Sequence, residues 1–169
     1  DYFEHADVPE FCESKGMEYV TPQESDLLLA CCDALIAAQN AVIAAESLGI
    51  GSCYIGDIME NIETHREMFS LPRWVFPISL VCFGYRTERE EERPQSSRFP
   101  REFVYFEDEY SHVDSKAFEK MLGEHFGKTD GFPGGAQNIG QAIYWRKTGS
   151  DYAAEMRRSV KVALEDWSE

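Results

Sequence analysis

The sequence predicts an α+β fold, a sheet core flanked by helices with one helix at its centre. Three observations carry this reading. Residues 24–48 are apolar with almost no polar face. Residues 77–83, Pro-Ile-Ser-Leu-Val-Cys-Phe, form a mostly apolar run ended by Gly84. Two later segments, 114–126 and 150–167, place large apolar residues at helical spacing. With 169 residues the chain suffices for one compact domain and is too short for two ordinary ones. Residues 1–169 are therefore read as a single domain, with 111–169 as its C-terminal helical extension.

Taken in order, residues 1–23 are polar and broken by Pro9, Gly16 and Pro22, which predicts an extended lead-in. From Glu24 to Leu48, the run Leu27, Leu28, Leu29, Leu35, Ile36, Val42, Ile43 and Leu48 is filled in with alanines. A helix apolar nearly all round is expected to be covered on most sides, by a core or a second subunit. Gly49 stands where such a helix ends. Residues 49–56 then read as a turn and an extended segment closed by Gly56. Asn61 is placed to cap a short helix through Phe69. The 77–83 run reads as a central strand, and the charged stretch Arg86–Arg98 as a solvated loop. Phe103 to Phe106 suggest a second extended piece. Asp114 to Phe126 reads as a helix with Phe118, Met121, Leu122 and Phe126 on one stripe. Residues 127–140, with Gly131, Gly134 and Gly135, read as a glycine-rich loop, and Ser150 caps a last helix to about Trp167.

Composition excludes several function classes. Acidic residues number 31 against 16 basic ones, a formal charge of -15. A field of that sign repels phosphate backbones and anionic headgroups, so neither nucleic acid nor a membrane surface is an expected partner. No uninterrupted apolar run reaches the roughly 18–20 residues a bilayer needs. The five cysteines, Cys12, Cys31, Cys32, Cys53 and Cys82, are odd in number and fit no disulfide or zinc framework. They read as small apolar core residues in a reducing, cytoplasmic setting. His65 and His112 read as solvated, Cys53 has no evident base beside it, and Gly134-Gly135 lacks the spacing of a phosphate loop. No metal site is expected.

One block does carry chemistry. Residues 40–61, Asn-Ala-Val-Ile-Ala-Ala-Glu-Ser-Leu-Gly-Ile-Gly-Ser-Cys-Tyr-Ile-Gly-Asp-Ile-Met-Glu-Asn, resemble the nitroreductase (flavin reductase) family. There, a buried helix ending in Ala-Ala-Glu-x-Leu-Gly runs into a Tyr-Ile-Gly-Gly-type turn. Further features follow in family order: a strand ending in Gly84-Tyr85, then Ser96-Ser97-Arg98-Phe99-Pro100 where the family often has Lys-Pro-Arg-Leu-Pro. Residues 103–110 are similar to a following Val-x-His-x-x-x-Tyr segment. The likeness spans about Asp26 to Tyr110.

The resemblance implies an FMN-dependent oxidoreductase, homodimeric, with a nitroreductase-like sheet and FMN at the subunit interface. NAD(P)H would be the donor and a nitroaromatic, quinone or flavin the acceptor, in a ping-pong cycle. It assigns the turn Tyr54, Ile55, Gly56 and Asp57 to the N5 and O4 edge of the flavin ring, and Arg98 to the FMN phosphate. Physical reasons accompany each. A glycine turn lets backbone approach a ring edge with no Cβ between them, and a guanidinium suits a phosphate. No acid-base side chain is assigned. Two positions depart from the family: Asp57 replaces a second Gly, and Ser96 replaces a phosphate-binding Lys. The lead-in resembles the family's middle connection, so the family's opening phosphate-gripping segment is expected to lie outside these residues, making 1–169 a partial domain. The alternative reading is a non-catalytic remnant of the family acting as a dimerising or flavin-binding module. A thiol redox protein using Cys31-Cys32 ranks below both.

Overall fold

The long apolar stretch is a single helix, and the strands and turn that follow are arranged around its end. In the computed structural model, residues 6–94, 98–126 and 132–168 are described; Ser96 and Gly131, both singled out above, lie outside them. The described chain divides into two compact units. One holds residues 6–88 together with 155–168, the other residues 89–154.

The first unit opens with α1 (Val8–Lys15), where an extended lead-in was expected. Pro9 sits in the first turn, where its missing N–H costs no helical hydrogen bond, and Gly16 closes the helix at φ 64. Proline there starts a helix; it does not break one. Helix α2 (Glu24–Ser47) follows. The Gln23 side chain receives the Asp26 amide, and the Asp26 carboxylate receives the Gln23 N–H at 2.8 Å, so both ends of a capping box are made. Its far end turns at Gly49, with φ 75.

Helix α2 leads into β1 (Gly51–Ile55), which pairs antiparallel with β2 (Leu80–Gly84). Among the described residues this sheet has two strands, and β2, which the sequence suggested as a central strand, pairs there with β1. Between the strands lie a 3₁₀ turn, Gly56–Met59, and helix α3 (Ile62–Phe69). Asn61 is indeed at the N-cap of α3, but at φ 46 and with no side-chain cap bond.

In the second unit a short helix, α4 (Glu88–Glu91), begins at the boundary within the charged stretch. Phe103 closes a 3₁₀ turn, Arg101–Phe103, in place of the expected extended piece, and Arg101 stacks over Tyr105 at 4.5 Å. Helix α5 (Ser115–Phe126) is started by Asp114, whose Oδ1 accepts the Ala117 N–H at 2.8 Å, and Leu122 is buried. A 3₁₀ turn, Pro133–Gly135, precedes α6 (Ile139–Ile143), which continues as a π-helical turn, Tyr144–Thr148. Asn138 caps α6 through the Gln141 N–H at 2.9 Å. Helix α7 (Asp151–Ser168) is capped by Ser150, as read from the sequence, with its Oγ accepting the Ala153 N–H at 3.3 Å.

The C-terminal part of α7 holds the first unit together. Ser159 is fully buried, and its Oγ accepts the Ile62 N–H at 3.2 Å while donating to Glu155 Oε1 at 2.8 Å. Arg158 forks onto both oxygens of Glu63, at 2.7 and 2.8 Å, and onto Glu155. Trp167 Nε1 donates to the Gln23 carbonyl at 3.0 Å, tying the chain's end to the start of α2. Arg66 pairs with Asp166, and Arg73 donates to the Asp166 carbonyl at 2.8 Å. A cleft of about 340 Å³ between Arg66, Leu71, Arg73 and Asp166 lies along this seam.

The clamp has a pH signature. The Arg158 guanidinium bonded to Glu63 holds that carboxyl at about 2, well below its usual 4.5, and does the same to Glu155 with help from Ser159. Carboxyls held low in the folded state contribute stability above their ordinary value and lose it as pH falls from about 4.5 toward 2. Glu63 is exposed and Glu155 half-buried, so salt screens part of the effect. Acid-unfolding curves should show this loss, and Arg158→Met should flatten it between those pH values.

Among the described residues, helix α2 is left largely uncovered. Leu27 is its one buried residue, whereas Leu28, Leu29, Ile36 and Ile43 are 58–67% exposed. The helix contacts β1 on one side, and the remaining faces carry the alanine and leucine surface the sequence pattern expected to be buried. By length and composition alone it is also apolar enough to cross a bilayer, with Asp33, Gln39 and Asn40 interrupting the run. The cysteines depart from expectation likewise: Cys12 is buried, but Cys32, Cys53 and Cys82 are exposed.

Candidate functional site

The residues assigned to the flavin ring edge are consecutive and share one feature of the fold, the exit of β1. Tyr54 and Ile55 end the strand; Gly56 and Asp57 begin the 3₁₀ turn that reverses the chain toward α3. The turn is closed by the Glu60 N–H donating to the Asp57 carbonyl at 3.0 Å. Its inner side is anchored by Ile58 and Ile62, both buried, so the turn rests on the core while Asp57 faces solvent.

Gly56 leaves the outer side open. A Cβ built there would meet a single neighbouring atom, the Met59 Cε at 4.0 Å, with no positive φ to require glycine. The glycine is therefore dispensable to the turn itself and leaves room beside the backbone. The Gly56 amide also opens the helical turn and so has no acceptor within it. The room beside the Gly56 backbone suits the edge of a flat, hydrogen-bonding ring.

Tyr54 contributes differently. Its hydroxyl donates to Gln39 Oε1 at 3.3 Å, across to the middle of α2. Gln39 was not singled out from the sequence. Its signal was there nonetheless, as an amide interrupting an otherwise apolar helix. The bond orients β1 relative to α2 just before the turn.

Arg98 belongs to the second compact unit, so the chain's fold groups the four turn residues and leaves the arginine on the other body. Its neighbour in the motif, Ser96, lies outside the described residues. Among the described residues no three His, Cys, Asp or Glu side chains cluster as a metal site. His65 is half-buried and stacks on Phe69 with ring centroids 6.4 Å apart, a packed histidine and not the solvated one expected; His112 is exposed. Burial pushes the Cys31 thiol up, reinforced by the adjacent Cys32. A raised thiol is a poorer nucleophile at neutral pH, which weighs against redox chemistry at that pair.

Comparison with known proteins addresses this same stretch. The model of the nitroreductase family matches residues 11–85, from within α1 to just past β2. These residues belong to the nitroreductase family. The matched segment includes α2, the ring-edge turn and both strands. An oxygen-insensitive NADPH nitroreductase of Salmonella typhimurium is 38% identical over 103 residues, covering 59% of this chain and 42% of that protein. An FMN reductase [NAD(P)H] of Bacillus subtilis is 33% identical over 117 residues, covering 66% of this chain and 45% of its own length. The chain thus spans about half the length of the curated relatives it matches. Among solved structures, the NfrA1 nitroreductase of B. subtilis superposes with a TM-score of 0.67 at 23% identity, over 97% of this chain and 66% of that one. The α+β nitroreductase fold is therefore present from end to end of the described chain.

Proposed function

We propose that this chain is the larger part of an FMN-dependent NAD(P)H oxidoreductase, with the Tyr54–Asp57 turn at the edge of the flavin ring. The observation that carries this is the open side of Gly56 within the family-matched segment. When bound, FMN supplies two-electron chemistry, accepting electrons from NAD(P)H and passing them to a flat acceptor such as a nitroaromatic, a quinone or another flavin. The chain's own residues bind and orient. The Gly56 amide donates to the ring edge, the Tyr54–Gln39 bond fixes the strand that presents it, and Arg98 neutralises phosphate. Asp57 places a carboxylate beside the ring and so disfavours added negative charge there.

The exposed leucine and isoleucine face of α2 supports a homodimer, in which a second copy covers Leu28, Leu29, Ile36 and Ile43. The deciding measurement is the visible spectrum of purified protein after incubation with FMN and gel filtration. A yellow dimer is expected. A colourless dimer would instead favour a dimerising remnant of the family, and a colourless monomer would sink both readings.

Two variants sharpen the test. Gly56→Leu should fold as the parent does, because nothing fixed occupies that space, yet lose FMN by at least about tenfold through simple obstruction. Equal unfolding midpoints and unequal flavin titrations are the expected pair of results. Arg98→Ala removes a charge-assisted contact worth about 1.5–3 kcal/mol. FMN should therefore bind roughly 10- to 100-fold more weakly by fluorescence titration, while riboflavin, which has no phosphate, should bind unchanged.

A further inference from the structure

The two strands bring together two thiols that the sequence separates. In the register of β1 and β2, Cys53 stands directly opposite Cys82. Directly opposed residues on an antiparallel pair project to the same face, with Cα atoms about 4.5–5.5 Å apart. A disulfide needs Cα atoms about 4.4–6.8 Å apart, so the backbone need not move to form one. Both residues are exposed and both are free thiols. Alternation along β1 puts them on the sheet face opposite the one from which Tyr54 reaches Gln39. The remaining cysteines lack this geometry. Cys31 and Cys32 are consecutive on a helix and do not face each other, and Cys12 is buried.

We propose that Cys53 and Cys82 are a reversible dithiol–disulfide pair, a cross-strand oxidation site beside the Tyr54–Asp57 turn. The oxidant class is a hydroperoxide. One thiolate attacks the peroxide oxygen, giving a sulfenic acid and the first water. The facing thiolate then attacks that sulfur and expels the second water. Two thiols and one hydrogen peroxide thus become one disulfide and two waters, with two electrons passing from sulfur to oxygen. A dithiol reductant reverses it by exchange. The bond would close a loop of about 28 residues that contains the 3₁₀ turn and α3, pinning the strand that leads into the turn and restricting the unfolded chain.

The test uses the full chain with all five cysteines. Dilute protein, half of it ¹⁵N-labelled, is treated with hydrogen peroxide, quenched with N-ethylmaleimide and digested without reductant after Arg and Glu. Cleavage at Glu46, Glu60, Arg73 and Arg86 isolates Cys53 on residues 47–60 and Cys82 on residues 74–86. The expected product is a disulfide joining these two peptides within one isotopic label, formed with loss of two titratable thiols and restored by dithiothreitol. Oxidised protein should also unfold at a higher temperature than reduced protein, a gain absent from Cys53→Ser and Cys82→Ser. The proposal is overturned if the link joins different labels, if either cysteine is found over-oxidised or alkylated by itself, or if Cys53→Ser still loses two thiols.

Discussion

Replacing Ile62 by alanine is expected to cost about 2–5 kcal/mol, the range for emptying a buried aliphatic site. Ile62 is fully buried at the first turn of α3. Ile62 is a core residue, as is Ile58 of the Gly56–Met59 turn, and the Ile62 amide is held by the buried Ser159 hydroxyl of α7. One residue therefore joins the ring-edge turn, α3 and the C-terminal helix. The helix that carries it is tied to α7 by the Arg158 fork onto Glu63, which restricts collapse around the vacated site. Chemical denaturation should show a lower midpoint with an unchanged slope. Ile62→Val should cost about 0.5–1.5 kcal/mol. Ser159→Ala keeps the packing and strands the Ile62 N–H, at about 1–3 kcal/mol. Since the two sites touch, the double variant should cost less than the sum. An additive result would mean that Ser159 and Ile62 are not one clamp.

The same residues show which parts of the fold were legible in advance. Elements whose signals are local were readable: α2 from its apolar run and Gly49, α5 from Asp114, α7 from Ser150. Where a local signal has two meanings, the reading failed. Pro9 stops a helix from within but starts one at its first turn, so its presence does not distinguish α1 from a broken lead-in. The aromatic run 103–106 has strand composition, yet its first residue closes a 3₁₀ turn and Arg101 draws Tyr105 back over it. Periodicity makes α2 apolar all round but says nothing of what covers it, and among the described residues that surface stays largely open. Long-range facts had no local trace. Nothing near Ile62 announces Ser159, 97 positions away, and nothing in the spacing of Cys53 and Cys82 sets their register. For the candidate site, the turn was legible because its glycine and neighbours are consecutive. Gln39 was visible only as a polar exception, and Arg98 rests on family likeness.

In the second unit, Gly134→Val is expected to destabilise the glycine turn. Gly134 has φ 68, a left-handed conformation that costs an L-residue about 1–2 kcal/mol. A Cβ there would also stand 2.7 Å from Cδ2 and Cε2 of Trp145 and 3.0 Å from its Cγ. Those atoms are the root and the fused edge of the indole, not its tip, so no small rotation relieves the contact. Trp145 belongs to the π-helical turn Tyr144–Thr148 and would have to leave the glycine turn altogether. Trp145 is itself 59% exposed and can move toward solvent, so the cost is the backbone share of about 1–2 kcal/mol plus the loss of the indole's packing on the glycine turn. Gly135→Ala separates the two contributions, because Gly135 is also left-handed, at φ 74, with nothing within 4 Å of a Cβ. It should cost the backbone share alone. Hydrogen exchange should locate the damage: amides of residues 132–149 lose protection in Gly134→Val, while those of α3 and the Glu155–Ser168 part of α7 keep theirs. Uniform loss across both groups would show that the two units unfold as one, and would remove the basis for treating Gly134 as a local fastener.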